Sequence, residues 1–369
     1  MNIGLKPIDI FILTENIFGL YKNISTCSKL RKTIAITIIS IELSLCLYVI
    51  YTIEYNNFNN VLLTFFFQLN SIVSILMSCY YSKACMKFIN CLNFNDILVD
   101  FLHDKIYFKR MASHFKFGLK RICGYIFLYI VTIIISEIYD VHIVVRTGEQ
   151  KVVLFGRALS VLRLHVEYNF ICFTFHTISE QLQCITRSVV GRNLYHCEDG
   201  DVTQTISIEK WRQNYINVKK CTVFLNEIIG IQLASSFCII AMRYINTCYY
   251  SVVVYGLKGY LNIGMLLFYG GMCISMWIIY ATVQAAQSVQ NSVSALTRCL
   301  KLLFVLEQAN EHTDENKLKI VKQLLKIVTT RPISVKAFGG IDVNMTLIPS
   351  CLNIVAVYTI IALQFNNIV

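Results

Sequence analysis

The sequence predicts an all-α polytopic membrane protein of seven spans, with its N-terminus inside and its C-terminus outside. Three observations carry that expectation: too few charged residues to cover a soluble globule, recurring apolar runs of about 20 residues, and basic residues gathered in alternate loops. Of 369 residues, 56% are hydrophobic and 15% charged, and the mean hydropathy is +0.57. A net charge of +11 would suggest nucleic acid as the partner of a soluble protein. In a membrane protein the Lys and Arg instead mark the cytoplasmic side, and no nucleic-acid partner is expected. Three prolines and sixteen glycines leave little material for linkers, so one membrane domain is expected, and no internal repeat is visible.

A helix satisfies its own backbone in hydrocarbon, and crossing roughly 30 Å takes about 20 residues. The candidate spans are Thr33 to Ile53, Val61 to Tyr81, Gly118 to Ile138, Leu154 to Thr177, Thr222 to Ala241, Tyr260 to Val283 and Val343 to Phe365. The fourth is the least apolar, carrying Arg157, Arg163, His165 and Glu167. No short apolar run followed by a small-residue cleavage site opens the chain, so the first span is expected to act as the insertion signal. Residues 1–32 read as a cytosolic N-terminus, and residues 33–283 as a six-helix transmembrane bundle with cytosolic anchor helices at 82–117 and 178–221. Residues 284–342 read as a further cytosolic anchor and 343–369 as the last span with an extracellular C-terminus.

Most of the 33 basic residues fall in the N-terminus and in the segments after spans two, four and six, which places these inside. Glu54 to Asn60, between the first two spans, has none. This orientation is the inverse of a G-protein-coupled receptor. In Lys317 to Val328 the residues Leu318, Val321, Leu324, Leu325 and Val328 mark one apolar face, with lysines opposite. That pattern suits packing against other cytosolic helices, and Trp211, Tyr215 and the Leu296 to Val305 run supply apolar faces for it. Glu307, Glu311, Asp314 and Glu315 read as a solvated loop between two such helices.

The fifteen cysteines are odd in number and scattered through apolar stretches, so no disulfide framework is implied; Cys248, in an outside loop, is the candidate for an isolated pairing. The histidines make no metal set, and no cofactor is expected. No phosphate loop, nucleophile elbow or in-membrane pair of acids is present, so the chain does not read as an enzyme. A secondary transporter would show repeated halves with broken helices, and a membrane enzyme a polar catalytic cluster. Neither is visible, although both remain the alternative classes.

Near the end of the chain stand Tyr358, five residues, and then Gln364-Phe365, preceded by Arg331-Pro332, Lys336 to Gly340 and Asp342. This ending resembles the C-terminal signature of insect gustatory receptors, with Val357 where that family usually has Thr. The motif covers the last tenth of the chain, while length, inverted topology and basic inner loops agree throughout. The resemblance implies a ligand-gated, weakly selective cation channel in the plasma membrane of a sensory neuron. It implies a homotetramer, or a heterotetramer with related subunits, whose last spans surround one pore. It also implies a pocket open to the outside for a small-molecule tastant. A plant secondary compound is the first expectation and a sugar or sugar alcohol the second; an odorant receptor subunit is the alternative within the superfamily.

On a helix Gln364 shares a face with Ile361, Ile360, Val357 and Asn353. The stripe, with Phe365 at its end, suits a pore or gate and equally suits ordinary helix packing; the resemblance favours the pore. Tyr358, one step off, is expected to pack between helices. Gly339 and Gly340 read either as a hinge below the last span or as a tight turn at a helix C-terminus. Arg163 and Glu167, four residues apart, are expected to pair and to point inward, since a charge at mid-membrane costs about 2.5 to 3.5 kcal/mol. With His165 and Arg157 they are the candidate polar contacts of the pocket. Tyr125, Tyr129, Phe65, Phe66 and Tyr244 are candidate aromatic walls or plain packing.

Overall fold

The computed structural model describes residues 7–52, 58–98, 105–141, 148–194, 201–258, 263–309, 315–337 and 340–365. Ten helices follow one another among the described residues: α1 (Pro7–Ile17), α2 (Lys29–Tyr51), α3 (Phe58–Tyr80), α4 (Ser82–Leu98), α5 (Lys105–Val141), α6 (Gly148–Leu194), α7 (Asp201–Lys258), α8 (Ile263–Ala309), α9 (Glu315–Thr330) and α10 (Leu347–Phe365). Two short strands, β1 (Lys336–Ala337) and β2 (Ile341–Asp342), pair antiparallel just before α10.

The prolines explain where helices stop. Pro7 opens α1, Pro332 follows α9 at once, and Pro349 sits in the first turn of α10, all places where a missing N–H costs nothing. No proline falls between these, and the long helices run unbroken. At 1.5 Å per residue, the 58 residues of α7 span roughly 87 Å and the 47 residues of α6 roughly 70 Å. Both far exceed a bilayer crossing. The anchor segment expected at 178–221 is therefore continuous with α6 and α7, and the one expected at 284–342 begins as the continuation of α8 and goes on into α9 and the β1–β2 pair. The anchor expected at 82–117 is split into α4 and the first turns of α5. α4 leaves α3 at an angle of 65°.

The α2 helix, the Ile208–Tyr249 stretch of α7, and Leu347–Gln364 of α10 are each long and apolar enough to cross a membrane, and the bent α3–α4 pair makes a fourth candidate. The other expected spans lie on α5, α6 and α8. α6 has a different character. From Arg163 to Leu182 every residue except His176 is buried, so this helix is surrounded by protein and tolerates polar groups that lipid would reject. It packs on α5, α8, α7, α3, α2 and α1.

Residues 8–22 are built into the bundle, with Ile8, Phe11, Ile12, Phe18 and Leu20 all buried. Phe11 packs on Phe115 and Phe173 at ring-centroid distances of 5.6 and 4.9 Å. α1 ends in a left-handed turn at Gly19 (φ +76°), where Leu20 N–H donates to Glu15 O (3.0 Å) and Gly19 N–H to Asn16 O (3.2 Å), a Schellman closure that needs glycine at this place.

At the other end, α9 lays Val321, Leu324 and Val328 against α7 and α8, and Lys317 pairs with Glu307 at 2.6 Å. The chain then returns along α7. Lys219 Nζ donates to Arg331 O (3.1 Å), Asn226 Nδ2 to Ser334 O (3.1 Å), and Lys336 N–H to Asn226 Oδ1 (3.2 Å). Met345 N–H donates to Gln287 Oε1 of α8 (3.3 Å) as the chain rises into α10.

Candidate functional site

Two places gather the residues singled out from the sequence. One is a polar network around α6. Arg163 is 1% exposed; its Nε donates to Phe18 O at 2.7 Å and its Nη2 to Glu42 Oε2 at 2.5 Å. Glu167 accepts from Ser74 Oγ at 2.9 Å. The expected Arg163–Glu167 pair is thus replaced by two pairings to other helices. Because α6 is covered on all sides, each head group meets a partner on a neighbouring element before it meets its own helix neighbour.

The same level holds a second buried pair that the sequence reading missed. Lys22 Nζ lies 2.6 Å from Glu15 Oε1, with both side chains fully buried, and 4.1 Å above the Phe170 ring. Ser160 Oγ donates to Gln68 Oε1 at 2.9 Å. Gly156 allows α2 to come close, for a Cβ there would stand 2.6 Å from Val49 Cγ2. The network therefore clamps α1, α2 and α3 onto α6 through side chains that are largely out of water. A signal existed for part of it: Glu42 is a lone charge inside the first apolar run.

His165 is buried, with Nδ1 2.7 Å from Val161 O and its ring edge-on to Tyr125 at 4.4 Å. These two predicted pocket residues are brought together. Phe65 and Phe66 form their own edge-on pair at 5.8 Å, and Tyr244 is buried in the core. Arg243, also unforeseen, donates to Ser275 Oγ at 3.1 Å and lies 5.6 Å from the Phe67 ring. The side chains of Arg157 and Tyr129 lie outside those described.

Further along α5 and α6, Glu180 gathers Arg110 (3.4 Å), His114 (3.9 Å) and Arg187 (4.0 Å). Burial pushes its carboxyl up, yet His114, Arg110 and Arg187 together outweigh burial and hold it below the usual value. His114 also stacks on His176 at 4.1 Å.

The second place is α10. Val355, Thr359 and Leu363, at four-residue steps, are its buried stripe, lying against α7 and α8. Asn353, Val357, Ile360, Ile361 and Gln364 are all exposed in the single chain. Tyr358 is 56% exposed in the single chain, one step off the buried stripe. The side chain of Phe365 lies outside those described. Gly340 sits in the turn between β1 and β2, where an added Cβ would meet nothing. It is not at a helix C-terminus, since α9 ends at Thr330; Gly339 lies outside the described residues. Cys248 is a half-buried thiol.

Compared as a whole, the chain is similar to the insect olfactory receptor OR5 of Machilis hrabei in complex with eugenol, with a TM-score of 0.65 at 11% identity over 97% of this chain and 98% of that one. A second structure of the same receptor gives 0.64 at 15% identity over 96% and 98%. No family model and no curated protein matches the sequence. At such identity the likeness shows the fold: the chain is an all-helical polytopic membrane protein of the architecture seen in that receptor.

Proposed function

We propose that this chain is a subunit of a ligand-gated cation channel of the insect chemoreceptor type, and within it a gustatory receptor. The observation that carries the channel reading is the surface of α10. A lipid-facing helix has no use for amides, since an unpaired polar group in hydrocarbon costs several kcal/mol. Here Asn353 and Gln364 share their bare face with Val357, Ile360 and Ile361. That face suits a water-filled axis built by copies of the chain, or by related subunits, with apolar rings that close by dewetting and an amide ring that passes cations with weak selectivity.

The ligand reading rests on the α6 region, where buried polar groups and the Tyr125–His165 contact offer a small molecule both hydrogen bonds and aromatic surface. A plant secondary compound is the first candidate and a sugar or sugar alcohol the second. The plasma membrane of a sensory cell is the place such a channel serves. The C-terminal Tyr358…Gln364-Phe365 pattern supports the gustatory branch, whereas the similar solved receptor is olfactory, which supports the odorant reading.

The test is current from cells expressing the chain, alone and with related subunits, while alkaloids, glycosides, sugars and volatile phenols are applied outside. A cation current with altered gating or permeation in Gln364→Ala is expected, and its ligand class separates taste from odour. A surface-expressed monomer that never conducts would return the chain to the transporter class.

A further inference from the structure

α4 packs along α7, and its Phe88, Ile89 and Leu92 are all buried. At the edge of that seam lies Cys91, a half-buried thiol. Its Sγ is 3.7 Å from the backbone O of Asn217 on α7. In a helix that carbonyl accepts the N–H of the residue four positions on, which is Cys221. The sulfur of Cys91 therefore stands at the helical turn occupied by Cys221, whose thiol is fully buried in the same core and hydrogen-bonds with that of Cys91.

We propose that Cys91 and Cys221 form a redox-active dithiol, with Cys91 the nucleophile, Cys221 the resolving thiol, and a hydroperoxide the co-reactant. The Cys91 thiolate attacks the terminal peroxide oxygen; the O–O bond breaks, the leaving alkoxide or hydroxide takes a proton, and Cys91 becomes a sulfenic acid. The Cys221 thiol then attacks that sulfur, the S–O bond breaks, and water leaves as the disulfide forms. The thiols are oxidised by two electrons and the peroxide is reduced by two.

The surroundings fit these roles. The Cys91 thiol is drawn below its ordinary value, first by the Cys221 hydrogen bond, against the effect of burial, and with help from the Lys220 ammonium. Cys85, on the same helix but fully buried, is pushed up to about 12 by burial, the state of an inert structural thiol. Access, a stabilised thiolate and an adjacent second thiol meet at Cys91, the combination that makes a sensor cysteine. The site is also well placed to act. Little more than a turn along α7, Asn226 holds Ser334 O and Lys336 N–H, where the chain turns toward α10. A bridge at Cys91–Cys221 would staple α4 to the stretch of α7 on which that connection rests; this consequence for gating rests on the channel reading above, whereas the chemistry does not.

The test uses the full chain in cell membranes, exposed to hydrogen peroxide, blocked with an alkylating reagent, digested and mapped by mass spectrometry. A Cys91–Cys221 linked peptide is expected, abolished by dithiothreitol and lost in Cys91→Ser. In Cys221→Ala, Cys91 is expected to persist as a sulfenic acid that dimedone traps. Alkylation of both cysteines without a bridge, or oxidation of Cys91 beyond the sulfenic state in the unaltered chain, would overturn the proposal. Ligand-evoked current that peroxide alters in the unaltered chain but not in Cys91→Ser supports the gating consequence. A bridge that forms with current unchanged overturns that consequence and leaves the chemistry standing. A fully reduced chain that never conducts counts against the channel reading, while the peptide map still decides the dithiol.

Discussion

Replacing Arg163 by Met would test whether the α6 network holds the fold together. The guanidinium is 1% exposed and its partner Glu42 13% exposed, so the substitution leaves a largely buried carboxylate without its cation and Phe18 O without its donor. Breaking a buried pair from one side costs about 3 to 5 kcal/mol. At 1.4 kcal/mol per tenfold, the ratio of folded to unfolded chain falls by about two to nearly four powers of ten, a large part of the roughly 5 to 15 kcal/mol that a typical domain possesses. Removing the carboxylate as well, in Arg163→Met/Glu42→Leu, leaves the Phe18 carbonyl as the main loss, about 1 to 3 kcal/mol. The double variant is therefore expected to be more stable than the single one. Fluorescence-detected size exclusion of the full chain after a graded heat step reads the order directly. Arg163→Met as heat-resistant as the parent, or a double variant that loses the sum of both single losses, would refute the argument.

Gly19→Ala places a Cβ in a left-handed turn and 3.2 Å from Glu42 Cγ; a loss of roughly 1 to 2 kcal/mol is expected, read as a lower melting midpoint, with Gly19→Asn milder. Gly156→Ala drives a methyl to 2.6 Å from Val49 Cγ2, and Val49 is fully buried; a loss of about 1 to 3 kcal/mol is expected, part of which Val49→Ala returns in the same melting assay. The Glu180 carboxyl is held below its ordinary 4.5, so its ion pairs stabilise the fold above that pH and are lost as pH falls through the folded value. Heat resistance measured against pH should drop below about 4.5 and the drop should shrink in Glu180→Gln.

The apolar runs were legible because a span must satisfy its own backbone, and α2, α3 and α10 lie close to where the runs placed them. The helix ends that prolines set were legible for the same local reason. The partners of Arg163 were not. A four-residue spacing is the only pairing a single helix reveals, and it pointed to Glu167; the true partner, Glu42, lies 121 positions away and is chosen by how α2 crosses α6. Residues 8–22 carried a signal that went unread: Ile8, Phe11 and Ile12 repeat at helical spacing, with Glu15 and Lys22 beside them. The β1–β2 hairpin left none, since two-residue strands are too short to show alternation. Exposure of the α10 stripe could not be read either, because periodicity alone does not say whether a face meets its own chain.

How the α6 network could influence α10 turns on α7. Glu167 accepts from Ser74 Oγ (2.9 Å), Ser74 O lies 3.5 Å from Gln232 Nε2 on α7, and Ser235 Oγ donates to Asn70 Oδ1 on α3 (3.0 Å). Less than two turns from Gln232 along α7, Asn226 grips Ser334 and Lys336, and α10 itself packs on α7. One rigid helix thus touches the buried polar groups and carries the connection to the last span. Contiguity of this kind is not yet coupling, which requires an element with two arrangements that both sites bias. The bonds from α7 to Ser334 and Lys336 involve one side chain, Asn226, although Ile333, Val335, Ala337 and Val343 also bury the connection in the core. On the channel reading proposed above, a ligand would shift two arrangements of this fold only to the extent that it binds one better than the other, and Asn226→Ala, which frees Ser334 and Lys336 from α7, is expected to change the ligand-evoked current if the path runs through this connection.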